Sequence, residues 1–234
     1  MRSASHSVAL FVLLIYTGCT QPDKSFSGER GGVSTAPVRY TVLGDSTGIG
    51  LGARNGGGYV DRLFAKIDQT RPNSHLVNLS VPWATTADVL NKQVPSVSAT
   101  HATLVSVSIG INDVLQGRSE LEFEKNYEQI LSQLEKLDAV TVVVNLPDIT
   151  AAPALLRSPD PSIDVRLRSF NKKIERIANK RGLPLVDLYG VTRDSLRSQS
   201  ELFSADGMHP SDAGYQLWAD AMWPTVRQAI SPVY

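Results

Sequence analysis

The chain has 234 residues, 42% hydrophobic and 20% charged, and its 23 basic and 23 acidic side chains cancel. That length suits one α/β domain with residues to spare for a leader. The balanced charge excludes the basic field that nucleic-acid binding needs, and no apolar run reaches the roughly twenty residues of a membrane-spanning helix.

The leader comes first. Arg2 gives a weakly positive start, and residues 8–15 form an apolar run of signal-peptide length. Tyr16-Thr17-Gly18-Cys19 follows, and Cys19 is the single cysteine, so no intramolecular disulfide is possible. The tetrapeptide resembles a bacterial lipoprotein lipobox, with Tyr16 where Leu is usual. The resemblance implies cleavage before Cys19, lipidation of its thiol, and anchoring to a membrane in the periplasm or at the cell surface. The other reading is an ordinary signal peptide with an incidental cysteine, which gives a secreted protein. Residues 19–37, rich in Ser, Gly and charge, read as a flexible tether. The expected organisation is a signal peptide over 1–18, a tether over 19–37 and a folded domain over 38–234.

Within the domain, residues 38–43 predict a strand. Val60, Leu63, Phe64 and Ile67 share one face of a helix over 59–67. A second strand is expected at 75–79, a helix from Thr86 to Val94 capped by Thr85 or Thr86, and a buried strand over 103–109. Phe123, Tyr127, Ile130, Leu131, Leu134 and Leu137 mark an amphipathic helix over 121–137. A strand at 139–145, a helix at 163–178 and a short strand at 183–187 complete the alternation. Ser211 caps a last helix running to about Ile230, which Pro224 is expected to kink or interrupt. Regular alternation of strand and helix argues for a parallel sheet covered by helices on both faces, a three-layer α/β/α sandwich.

In such sheets the functional loops lie beyond the carboxyl ends of the strands. Gly44-Asp45-Ser46, the segment Asn78 to Trp83, and Gly110-Ile111-Asn112-Asp113 each follow a predicted strand, and Asp206-Gly207-Met208-His209-Pro210 precedes the last helix. Ser, His and Asp are the side chains of a nucleophile, its base and the group that orients the base. With them in this order, the chain is similar to the SGNH, or GDSL-type, hydrolases. That resemblance implies a flavodoxin-like fold and a serine esterase acting on small acyl esters, lysophospholipids or O-acetylated sugars, with no cofactor. It implies Ser46 as nucleophile, His209 as acid–base and Asp206 as its orienting partner. It also implies an oxyanion hole from the backbone N–H of Ser46, the side-chain amide of Asn112 and the backbone N–H of residue 83.

At position 83 the family pattern has glycine and this chain has Trp83. Any residue but proline keeps the N–H, so the donor survives, but glycine admits backbone angles that tryptophan resists. Either the ring shapes the acyl pocket, favouring acetyl to butyryl esters over long chains, or it is a packed aromatic beside the site. Asp113 reads as a brace for its loop and Asp187 as structural. Gly48-Ile49-Gly50-Leu51-Gly52-Ala53 fits a dinucleotide fingerprint, yet no helix opens directly behind it and the next strand carries no acid for a ribose. The histidines sit in unrelated segments without metal-ligand spacing. A non-catalytic binding module on a hydrolase scaffold is the alternative from another functional class.

Overall fold

A computed structural model describes residues 36–195 and 200–231. The leader, Cys19 and most of the tether lie outside these residues. Five parallel strands form one sheet: β1 (Arg39–Gly44), β2 (His75–Asn78), β3 (Leu104–Ser108), β4 (Val140–Val144) and β5 (Leu185–Val186). Their spatial order is β2-β1-β3-β4-β5, the flavodoxin-like order, whose switch point lies between β1 and β3. Tyr40 pairs with Leu104 and Gly44 with Ser108, so β1 and β3 end side by side. This register brings the loops after Gly44 and Ser108 together.

The central strands β1, β3 and β4 are buried on both faces, which is why they read as nearly continuous apolar runs, whereas the edge strand β2 is mostly exposed. Tyr40, Val42, Leu104, Val142 and Val144 face α1 (Tyr59–Thr70) and the last helix, meeting Leu63, Ile67, Trp218 and Met222. Leu43, Val105, Val107 and Val143 face the opposite layer and meet Phe123, Ile130, Phe170 and Ile174. Ser106, buried on the first face, is satisfied by the Tyr40 hydroxyl at 2.7 Å.

The segment expected as one helix from Thr86 is broken into three pieces. These are α2 (Thr86–Asp88), a π turn over Val89–Gln93 and α3 (Val94–Val97). Thr85 is the N-cap, its side chain accepting from the Asp88 N–H. Three short helices follow loops where no helix was predicted: α4 (Ile111–Leu115), α6 (Pro153–Leu156) and α8 (Leu188–Ser195). The two long helices of one layer are α5 (Glu120–Leu134) and α7 (Pro161–Arg181). α7 begins earlier than its apolar pattern suggests because Asp160 caps it and Pro161 takes the first position. The last helix, α9 (Asp212–Ala229), runs unbroken through Pro224. Pro224 and Asp220 are both exposed, so the carbonyl that loses its donor can turn to water.

Candidate active site

β1 stops at Gly44 because one side chain captures both of its backbone groups. The Gly44 N–H donates to Gln93 Oε1 at 3.0 Å, and Gln93 Nε2 donates back to the Gly44 carbonyl at 2.8 Å. Gln93 closes the π turn, a distortion that often accompanies functional sites. Beyond Gly44 the chain folds over itself. The N–H of Gly48 donates to the Asp45 carbonyl at 3.1 Å and that of Leu51 to the Ser46 carbonyl at 3.0 Å. Position 48 must be glycine, since a Cβ there would lie 2.2 Å from Ser80 Oγ. Ser46 is thereby seated on a cavity floor, 4% exposed.

Residues 202–211 double back on themselves. Ser204 N–H donates to the His209 carbonyl and Ser211 N–H to the Leu202 carbonyl, each at 2.8 Å. Inside this loop Asp206 Oδ1 accepts from the N–H of Met208 at 2.7 Å, the N–H of His209 at 2.9 Å and the Ser204 hydroxyl at 2.9 Å. Its other oxygen lies 2.7 Å from His209 Nδ1, and His209 Nε2 lies 3.0 Å from Ser46 Oγ. Burial works to raise the Asp206 carboxyl, but the two N–H donors and the imidazole outweigh it and hold it well below the usual carboxylate range. An ionised carboxylate only accepts hydrogen bonds. Nδ1 therefore carries the ring hydrogen, and Nε2 is left to accept from Ser46.

Asp45, next to Ser46, is pushed the other way. Burial raises its carboxyl to about 6, against hydrogen bonds from the Thr47 N–H and hydroxyl and the field of His209. Both Thr47 donors reach Asp45 Oδ1 at 2.9 Å.

Asn112 is the second residue of α4 and is 4% exposed. Its Nδ2 donates to the Ala84 carbonyl at 2.9 Å, which leaves a second amide hydrogen free for a ligand. Asp113 takes the Thr86 N–H at 2.9 Å and the Thr86 hydroxyl at 2.6 Å, so it ties this loop to the one bearing Trp83. Asp187 accepts from Asn145 Nδ2 at 2.8 Å and the Gly190 N–H at 2.9 Å, a structural arrangement. Trp83 has φ +64°, the left-handed region that favours glycine. Among the described residues, no backbone carbonyl takes the N–H of Ser46 or of Trp83.

Ser46, Trp83, Asn112, Asp206 and His209 all line one cavity of about 310 Å³. Its apolar wall comes from Ile109, Ile111, Leu115, Leu146, Ile149 and Met208. Sequence reasoning missed that wall, although Leu146 and Ile149 follow β4 at the same sheet edge and the strand-end rule reaches them. It also missed Gln93, a glutamine in an unremarkable helical stretch. The Trp83 indole is 65% exposed at the cavity rim. It neither packs into the core nor closes the cavity, so the expected wall against long acyl chains is not in place.

Residues 42–217 match the GDSL-like Lipase/Acylhydrolase family, from β1 into α9. The chain belongs to that family. The GDSL-like chain is 28% identical over 201 residues to a GDSL-like esterase of Mycobacterium tuberculosis, covering 83% of itself and 63% of that longer relative. It is 24% identical over 203 residues to the spore germination lipase LipC of Bacillus licheniformis, covering 79% of itself and 94% of that protein. An acetylxylan esterase structure from Geobacillus stearothermophilus superposes with a TM-score of 0.70 at 19% identity, over 85% of this chain and 98% of that one. The lipase Lip_vut3 from a goat rumen metagenome gives 0.64 at 21%, over 80% and 96%. At these identities the structural likeness is one of fold. By its family the GDSL-like chain is a serine ester hydrolase.

Proposed function

We propose that this GDSL-family esterase cleaves carboxylic esters through an acyl-enzyme on Ser46. The reading is carried by the relay from Ser46 Oγ to His209 Nε2 at 3.0 Å and from His209 Nδ1 to Asp206 at 2.7 Å, opening on an apolar cavity. Ser46 Oγ attacks the ester carbonyl as His209 takes its proton. The oxyanion receives the N–H groups of Ser46 and Trp83 and the free amide hydrogen of Asn112. Each such donor contributes about 3–4 kcal/mol in the transition state. The intermediate collapses, the alcohol leaves with the proton from His209, and water repeats the sequence on the acyl group. Asp206 stays ionised throughout and steadies the imidazolium. No cofactor takes part.

Small acyl esters, lysophospholipids and O-acetylated sugars share this chemistry. The likeness to a lipase and to an acetylxylan esterase keeps lipid and sugar esters within the substrate class, and the apolar wall supports acyl chains beyond acetyl. The test is hydrolysis of p-nitrophenyl butyrate by wild type and Ser46→Ala, with circular dichroism as the control for folding. Loss of turnover in a folded Ser46→Ala protein is expected. Near wild-type turnover would overturn the mechanism.

The placement belongs to the same proposal. A leader over 1–18, lipidation of Cys19 and a tether over 19–37 support an enzyme held outside the cytoplasm on a membrane. Cys19→Ser is expected to abolish labelling by a clickable fatty acid. Equal labelling of both proteins would remove the anchor.

A further inference from the structure

Trp83 combines two costs that its surroundings do not recover. A left-handed backbone costs a residue with a side chain about 1–2 kcal/mol. An indole 65% exposed buries little surface in return. The backbone angle presents the oxyanion N–H, a role that needs no ring, so an exposed indole kept at this position points to a contact made with something else. Two cavities meet at this residue. One is the catalytic cavity of about 310 Å³, and the other, about 210 Å³, is lined by Val81, Pro82, Ala84, Asp88, Lys92 and Gln93.

The two differ in chemistry. The catalytic cavity is walled by Ile109, Leu115, Leu146 and Ile149. The second carries an ion pair, Lys92 Nζ to Asp88 Oδ1 at 2.7 Å. An ester held at Ser46 has two halves that point apart. The apolar half fits against the aliphatic wall of the catalytic cavity, which leaves the rim at Trp83 for the other. Asp88 is already occupied by the Thr85 N–H and hydroxyl as well as by Lys92. The Lys92 side chain is 70% exposed and one ammonium has three donors, so donors remain. The pair as a whole is neutral. It offers hydrogen bonds to hydroxyl groups, without the uncompensated positive charge a phosphate would want. A quaternary ammonium is best held by several rings, and among the described residues Trp83 is the one ring lining the second cavity.

We propose that Trp83 determines specificity for the alcohol half of the ester, and that this half is a neutral polyhydroxy ring lying on the indole face with hydroxyls toward Lys92. The proposal rests on the acyl-enzyme reading above and narrows its substrate class to acyl sugars with an apolar acyl group.

The experiment compares kcat/KM for two butyrate esters, one of methyl glucoside and one of ethanol, and reads their ratio. Trp83→Gly and Trp83→Asn both tolerate a left-handed backbone and both remove the ring. Each is expected to lower the glucoside-to-ethyl ratio at least tenfold. Trp83→Phe, which restores an aromatic face, should recover most of it, and Lys92→Gln should lower the ratio about threefold. An unchanged ratio in both ring-less variants would overturn the proposal. So would an equal fall for both esters, which would mean that only the oxyanion geometry was disturbed. A ratio that responds to Arg54→Gln and not to Trp83 would also overturn it, by moving the alcohol into the cavity lined by Gly52, Arg54 and Ser204. Activity on both esters that survives Ser46→Ala would instead sink the acyl-enzyme reading beneath it.

Discussion

Asp206 holds His209 while Asp45 adjoins Ser46, and their environments drive the two carboxylates apart. Asp206 is half exposed and takes four hydrogen bonds, so it stays ionised into strong acid. Asp45 is 2% exposed, and burial lifts it to about 6. A carboxyl raised in the folded state lowers stability as pH climbs from its unfolded value near 4 through its folded value near 6. In that window the folded protein holds a proton that the unfolded chain has released. Asp45→Asn removes the penalty and keeps an oxygen for Thr47. The mutant's stability relative to wild type is therefore expected to improve between pH 4 and pH 7, by at most about 3 kcal/mol, and then level off. Thermal melts at those two pH values check it; a constant difference would mean that Asp45 does not titrate there.

Among the elements, the broken helix after Thr85 matters most. A continuous α-helix would carry Gln93 elsewhere; the π turn delivers its amide to Gly44. Asn171 repeats the device at the end of β4, clamping the N–H and carbonyl of Leu146 at 2.7 and 3.0 Å. A buried amide thus fixes where each of two strands ends and its loop begins. Gln93→Ala leaves the Gly44 N–H buried without an acceptor, whereas the carbonyl keeps the N–H of Val81 at 3.2 Å. A loss of about 1–3 kcal/mol is expected in urea unfolding. A fall in kcat should accompany it, because the Ser46 turn hangs from this point. Full stability in Gln93→Ala would show that water replaces the clamp.

For the molecule as a whole, the parallel register decides what the site can hold. It sets the loops after β1, β3 and β4 around one cavity, and the 202–211 loop closes it from the side. Leu115 comes from the β3 loop and Leu146 from the β4 loop, so the acyl wall exists only where the strands lie side by side. Leu115→Trp should fill part of that space. The kcat/KM ratio of decanoyl to butyryl p-nitrophenyl esters is expected to fall by tens of fold, in keeping with about 1–3 kcal/mol per apolar mismatch. No change would place the acyl chain outside this cavity.

Much was legible beforehand, for a physical reason. Short apolar β-branched runs and a helical period of 3.6 are local signals, so the five strands, the long helices and the three-layer class were readable from the order of segments along the chain. Loops that follow parallel strands share an edge whatever the family, so Ser46, Trp83 and Asn112 could be gathered there from position alone. Asp206 and His209, three residues apart, could reach each other from one loop. Other features were set by contacts distant in sequence. The split of the Thr86 helix depends on a glutamine reaching Gly44, and the passage of α9 through Pro224 depends on which face meets water. The exposure of the Trp83 ring depends on a left-handed backbone fixed by the neighbouring loops. Local pattern specifies what each segment prefers to be, whereas the cavity and its rim arise where segments from different parts of the chain meet.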